Sequence, residues 1–162
     1  VERGRGRAVL HALTLIELSN RVNGWIAGAL RAIPAAMAEP FDALAARLRG
    51  CRLCADRFAA TATGHAPRPV LRARPGAPIL IAGQAPGARV HASGLPFDDP
   101  SGDRLRDWMG VDRDIFYDTA RIAILPMAFC FPGYDARGAD LPPPPICAAP
   151  AAALLAALGG RA

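Results

Sequence analysis

Three features of the sequence predict an α/β layered domain. Two short apolar runs, Pro78–Ala82 and Arg121–Phe129, lack polar alternation and read as buried parallel strands. Segments of helical periodicity lie before, between and after them, and strands alternating with helices stack as layers. The length, 162 residues, suits one such domain.

At the N-terminus, Arg3, Arg5 and Arg7 precede an apolar stretch from Ala8 to Ile16, which imitates a signal peptide. Glu17, Arg21 and Arg31 interrupt the residues after it, while Leu15, Leu18, Val22, Ile26, Ala29 and Ile33 recur at helical spacing. An amphipathic helix is the better reading. Met37 opens Met-Ala-Glu-Pro-Phe-Asp-Ala-Leu, which has the form of a translational start. Residues 1–36 are therefore expected to be an N-terminal extension foreign to the native protein, and residues 37–162 the domain itself.

Within the domain, Pro40 to Arg49 predicts a short helix with Phe41, Leu44 and Leu48 on one face, running into Cys51-Arg-Leu-Cys54. Residues 55–77, rich in Pro, Arg, Gly and Thr, read as a loop. Gly83-Gln-Ala-Pro-Gly87 ends the first strand. Asp99-Pro100 combines an N-cap carboxylate with proline at the first helical position. Leu105, Trp108 and Met109 then give the apolar stripe, and Gly110 the C-terminal cap. Phe131 to Pro145 is a proline-rich loop, and Ala148 to Leu158 a last helix.

Composition narrows the chemistry. Hydrophobic residues are 52% and aromatics 6%, so the core rests on Ala, Leu, Val and Ile. No stretch reaches the roughly 18 apolar residues of a membrane span, so no membrane partner is expected. All 19 basic residues are Arg. Without lysine, a P-loop, a pyridoxal Schiff base and a lysine-dependent lyase are excluded. The net charge of +5 favours encounter with polyanions, though it equally describes a solvated arginine-rich surface.

The four cysteines are Cys51, Cys54, Cys130 and Cys147. Without a credible secretory signal a reducing cytosol is the expected location, and disulfides are disfavoured there. Four thiolates suit a tetrahedral zinc or a [4Fe–4S] cluster. Zinc ribbons present two tight pairs, whereas Cys130 and Cys147 stand far apart in sequence. Free thiols are the third possibility.

Taken in order, Cys51-x-x-Cys54, a strand, Gly83-Gln-Ala-Pro-Gly87, Gly94-Leu-Pro-Phe97, then Cys130 and Cys147, the chain resembles the uracil-DNA glycosylase superfamily. The likeness is to its bacterial iron–sulfur branch and covers roughly Phe41 to Pro150. It implies a three-layer α/β/α fold around a short central parallel sheet, with the site at the strands' carboxyl ends. It implies a [4Fe–4S] cluster on Cys51, Cys54, Cys130 and Cys147, with zinc as the alternative. It also implies a partner, DNA containing uracil or another deaminated base, met by a monomer.

The resemblance places Gln84, the backbone of Ala85, and Gly87 at the catalytic position. Gly83, Phe97 and Met127 fall where a base is bound, with Phe97 matching a ring that stacks on an extruded uracil. Gly83 and Gly87 permit close backbone approach and unusual dihedrals. Stacking contributes about 1–3 kcal/mol per base, comparable with the few kcal/mol needed to unstack it. Arg89 and Arg104, with Arg106, are candidate phosphate contacts.

The chain also departs from the family. Ala85 stands where many members carry a water-activating Asp, and Gln84 where the iron–sulfur branch has Glu. Gln orients a water but takes up no proton near neutral pH. Pro126 lies near the position of the uracil-reading Asn, and Met127 and Ala128 offer only backbone groups there. A His-Pro-Ser-Pro-like loop is absent, since His11, His65 and His91 all lie upstream of its place. His91 reads as a surface or DNA-facing residue. Asp98, Asp99 and Asp103 are the acids beside the site, with Asp99 read first as a helix cap. The fold is thus expected to be incomplete at its C-terminus. A monofunctional glycosylase is the first functional expectation, and a non-catalytic iron–sulfur DNA-binding module or an inactive truncated fragment the alternative.

Overall fold

The computed structural model describes residues 39–159. The expectations for residues 1–36 lie outside them. The first helix, α1 (Phe41–Arg49), buries Phe41, Leu44, Ala45 and Leu48 on one face. Gly50 closes it, and the Cys51–Cys54 loop leads into α2 (Ala55–Ala59), a single turn inside the expected loop that buries Phe58. Strand β1 (Ile79–Gly83) comes next. A crossover then carries α3 (Ala88–Ser93), α4 (Pro100–Met109) and α5 (Arg113–Tyr117) to β2 (Ile122–Pro126). A 3-10 turn (Pro145–Cys147) opens α6 (Ala148–Gly159).

The two strands run parallel, from Ile79 opposite Ile122 to Gly83 opposite Pro126. Helices cover the sheet on both sides because successive side chains of β2 point to opposite faces. Leu125 joins Leu71, Phe129 and the buried faces of α1 and α6. Ile122 and Ile124 meet Phe116 and Tyr117 of α5, with Leu105 and Met109 of α4 beside them. The result is an α/β/α arrangement about a two-stranded parallel sheet. All five residues of β2 are buried, and three of them are among the largest fully buried side chains. At about 1.5–3 kcal/mol for each such burial, β2 is the spine of the fold.

Local chemistry sets the ends of α4 as the sequence requires. The Asp99 carboxylate accepts from the Gly102 N–H at 3.0 Å, and Gly110 stops the helix in the left-handed region at φ 65°.

Three expectations need correction. Strand β1 is not a buried strand: Ile79 and Leu80 are 44% and 47% exposed. Its only neighbour among the described residues is β2, so its other side is an open edge. Trp108 leaves the apolar stripe of α4 and stands exposed. Arg106 takes an inward position instead, buried against Phe116 and Tyr117. No helix among the described residues is long and apolar enough to cross a membrane.

Candidate functional site

The segment after β1 forms the wall between two cavities. One, of about 100 Å³, is lined by Gly83, Gln84, Gly87, Phe97, Asp99 and Pro126 among others. The second, of about 260 Å³, shares Gln84–Gly87 and is closed by Pro132, Asp140 and Leu141–Pro143. Both lie at the carboxyl ends of the strands, where open α/β sheets bind ligands. The first is smaller than the roughly 300 Å³ at which drug-sized pockets begin, and suits one small flat ring.

The turn is anchored from β2. The Met127 N–H donates to the Gly83 carbonyl at 2.8 Å, and the Ala128 N–H to the Gln84 carbonyl at 3.0 Å. These two donors are therefore committed to the fold rather than free for a substrate. The Met127 side chain packs toward the α1–α6 core and does not line the small cavity. The N–H groups of Ala85 and Gly87 make no backbone hydrogen bond among the described residues. Gly87 is extended (φ −81°, ψ 176°), and Gly83 has no positive φ, so neither uses the unusual dihedrals expected of it.

Phe97 carries the unusual backbone. It is the non-glycine residue with positive φ, 57°, a left-handed conformation that costs about 1–3 kcal/mol. Its ring faces Gly83, with Cζ 3.5 Å from where a Cβ on that glycine would stand. The opposite edge meets Phe116 in a T-shaped contact, centroids 6.2 Å apart. Phe97 is thus both a core aromatic and a wall of the small cavity.

The acids beside the site are already engaged. Asp98 pairs with Arg113 at 2.8 Å, and that hydrogen bond holds its carboxyl below the usual range. Asp99 caps α4 and also accepts from the Ser101 hydroxyl. Asp103 is bound to Arg106. None is free to replace the missing acid. Asp140, which sequence reasoning overlooks, is exposed and lines the larger cavity together with Gln84. It lies in the proline-rich loop, where nothing local announces a site.

Arg106 is not a phosphate contact: it is only 7% exposed, and its guanidinium lies 5.2 Å from the Phe116 ring centroid. Arg89 and Arg104 are exposed on α3 and α4, open to a phosphate. His91 is not a surface group either. It stands 4.9 Å from His65 in an edge contact, with Phe131 beside both. Its Nδ1 is buried without a partner. Burial, with His65 and then Arg68 nearby, lowers its affinity for a proton.

The four cysteines converge. Cys51 and Cys54 from the α1–α2 junction, Cys130 beyond β2 and Cys147 from the 3-10 turn all line one cavity of about 690 Å³. Its other walls are mostly apolar, among them Leu48, Phe58, Phe129 and Ile146. Burial pushes the Cys130 thiol up to about 12, opposed by a bond from the Arg68 N–H and reinforced by the three other cysteines. Burial likewise raises Cys147 and Cys54. Thiols this close resist ionising together unless a cation compensates them. Among the described residues no three His, Cys, Asp or Glu side chains close on a point where one metal ion would sit.

A model of the Uracil DNA glycosylase superfamily matches residues 72–158, more than half of the chain. The chain belongs to that superfamily. The match spans the sheet, the turn at Gly83–Gly87, Phe97, Cys130 and Cys147, while Cys51 and Cys54 lie before it. Superfamily membership accounts for the α/β/α layering and implies a DNA-glycosylase type of function.

Proposed function

We propose that the chain is a monofunctional DNA glycosylase that hydrolyses the N-glycosidic bond of uracil, or of another deaminated base, in DNA. The observation that carries this reading is Phe97, held in a left-handed turn with its ring over Gly83 at the carboxyl end of β1. An aromatic ring lining a small cavity at the strand ends is a stacking surface for a flat ring, and stacking offsets most of the cost of extruding one base.

The residues then divide the work. Phe97, packed against Gly83, offers its ring to the small cavity as the surface on which the base stacks. The free N–H groups of Ala85 and Gly87 are donors for a carbonyl oxygen on which charge develops as the base departs. Gln84 orients a water, and Asp140, which lines the same adjoining cavity, is the carboxylate that accepts its proton. Arg89 and Arg104 hold phosphates on either side.

Four thiols lining one cavity support a [4Fe–4S] cluster, with zinc as the alternative. Cys51, Cys54, Cys130 and Cys147 would hold the cluster, which would tie α1 and α2 to β2 and α6. Its role is structural, away from the strand-end cavities.

Excision tests the proposal. Purified protein with its metal content measured is incubated with a single-stranded oligonucleotide holding one uracil, beside a thymine control. Base release from the uracil strand alone supports the reading. Binding of both strands without release overturns it in favour of a non-catalytic DNA-binding module, the reading that Ala85 and Pro126 favour. Zinc without iron would replace the cluster.

A further inference from the structure

Tyr117 and Arg106 converge on the peptide carbonyls around Phe97 from two helices. The Tyr117 hydroxyl, at the end of α5, donates to the Pro96 carbonyl at 2.8 Å in a buried bond. Arg106, on α4, reaches the Phe97 carbonyl at 3.4 Å and the Tyr117 hydroxyl at 3.5 Å with the same nitrogen. The guanidinium is the buried charge of the protein's described core. It is kept there by Asp103 at the rim and by the faces of Phe116 and Tyr117, 5.2 and 5.8 Å from its carbon.

A buried cation without a substrate to bind is costly unless its surroundings use it. Here it is aimed at a backbone segment that would relax if released, since Phe97 lies in a region that side chains rarely adopt. The donors match their targets: two consecutive carbonyls, Pro96 and Phe97, each receive one hydrogen from a side chain packed on Phe116.

We infer that Arg106 and Tyr117 are positioning residues, which fix the Pro96–Phe97 backbone so that the Phe97 ring presents its face to an extruded base. The inference rests on the stacking role proposed for Phe97. Arg106 and Tyr117 touch no base themselves, and their effect passes entirely through that ring.

A double-mutant cycle separates this from a general contribution to folding. Binding of full-length protein to a uracil-containing single strand, and to the same strand with an abasic site in place of the uracil, is measured at one salt concentration for wild type, Phe97→Ala, Tyr117→Phe and the double variant. Tyr117→Phe is expected to weaken uracil binding about 3- to 10-fold, the worth of one buried hydrogen bond, and to leave abasic-strand binding unchanged. In the Phe97→Ala background it should change nothing further. Equal loss on both strands, an effect that persists without the Phe97 ring, or no effect at all overturns the inference while leaving the stacking role in place. If Phe97→Ala itself leaves the uracil preference intact, the stacking role fails, and this inference with it. Arg106→Lys, which keeps a donor, runs the same cycle should Tyr117→Phe fold poorly, and should retain part of the preference that Arg106→Met loses.

Discussion

The carbonyl oxygen of Phe97 rests where a side chain on residue 102 would stand. A Cβ built on Gly102 would collide with that oxygen and crowd the Phe97 Cβ. The first turn of α4 and the left-handed turn before it are therefore packed backbone to backbone, and only glycine fits at the contact.

Gly102→Ala is accordingly expected to destabilise the protein by about 1–3 kcal/mol, the usual cost of overpacking, read as a lower melting temperature. Because the displaced group is the Phe97 backbone, binding to a uracil strand should fall further than binding to the same strand with an abasic site. Unchanged stability would mean that this contact is looser than it stands.

Asp140→Asn should lower the excision rate about 10²- to 10⁴-fold, the range for a lost general base, with DNA binding nearly unchanged. Single-turnover release beside a binding titration checks it. A variant that excises at the wild-type rate would show that Asp140 moves no proton.

His91 makes stability fall on the acid side. Its burial lowers its proton affinity in the folded state, so the unfolded chain binds the proton more readily. Stability is then whole above the ordinary histidine range near 6.5 and is lost as pH drops below it. His65 and Arg68 face the ring and share the effect. His91→Phe, which leaves no hydrogen bond broken at Nδ1, should blunt the loss in urea melts taken between neutral and mildly acid pH.

Replacing any one of Cys51, Cys54, Cys130 or Cys147 by Ser should lower bound iron and sulfide together and weaken visible absorption. Anaerobic metal analysis of each variant checks this. Full iron retention in one of them would remove that residue from the ligand set.

Arg89→Ala and Arg104→Ala should each weaken binding to uracil and thymine strands alike and reduce the slope of log affinity against log salt by about 1. A loss confined to the uracil strand would instead make the residue a reader of the base.

Much of this architecture is legible in the residues. Asp99-Pro100 and Gly110 bound α4 because capping chemistry is local, and the Phe41, Leu44 and Leu48 spacing gives α1 its buried face. The short helices α3 and α5 escape notice because five or six residues carry too little periodicity to register. Burial of β1 is overestimated because an apolar run says nothing about how many neighbours a strand will have. Arg106 is misread for a related reason: the type of residue suggests a surface, and only the fold shows the aromatic faces that receive it. The cysteine spacing alone leaves zinc, a cluster and free thiols open, because Cys130 and Cys147 stand far apart in sequence, and only the fold brings all four to one cavity. Asp140 is invisible because its place beside the same cavity as Gln84 depends on the path of a proline-rich loop, which nothing local in the sequence sets.

The open side of β1 has a practical consequence. Among the described residues, Ile79 and Leu80 offer greasy side chains beside unpaired peptide groups, the combination by which strands of separate molecules adhere. Concentrated samples of this chain should clump before they melt, and a charged replacement such as Leu80→Arg should keep them clear without touching the strand-end cavities.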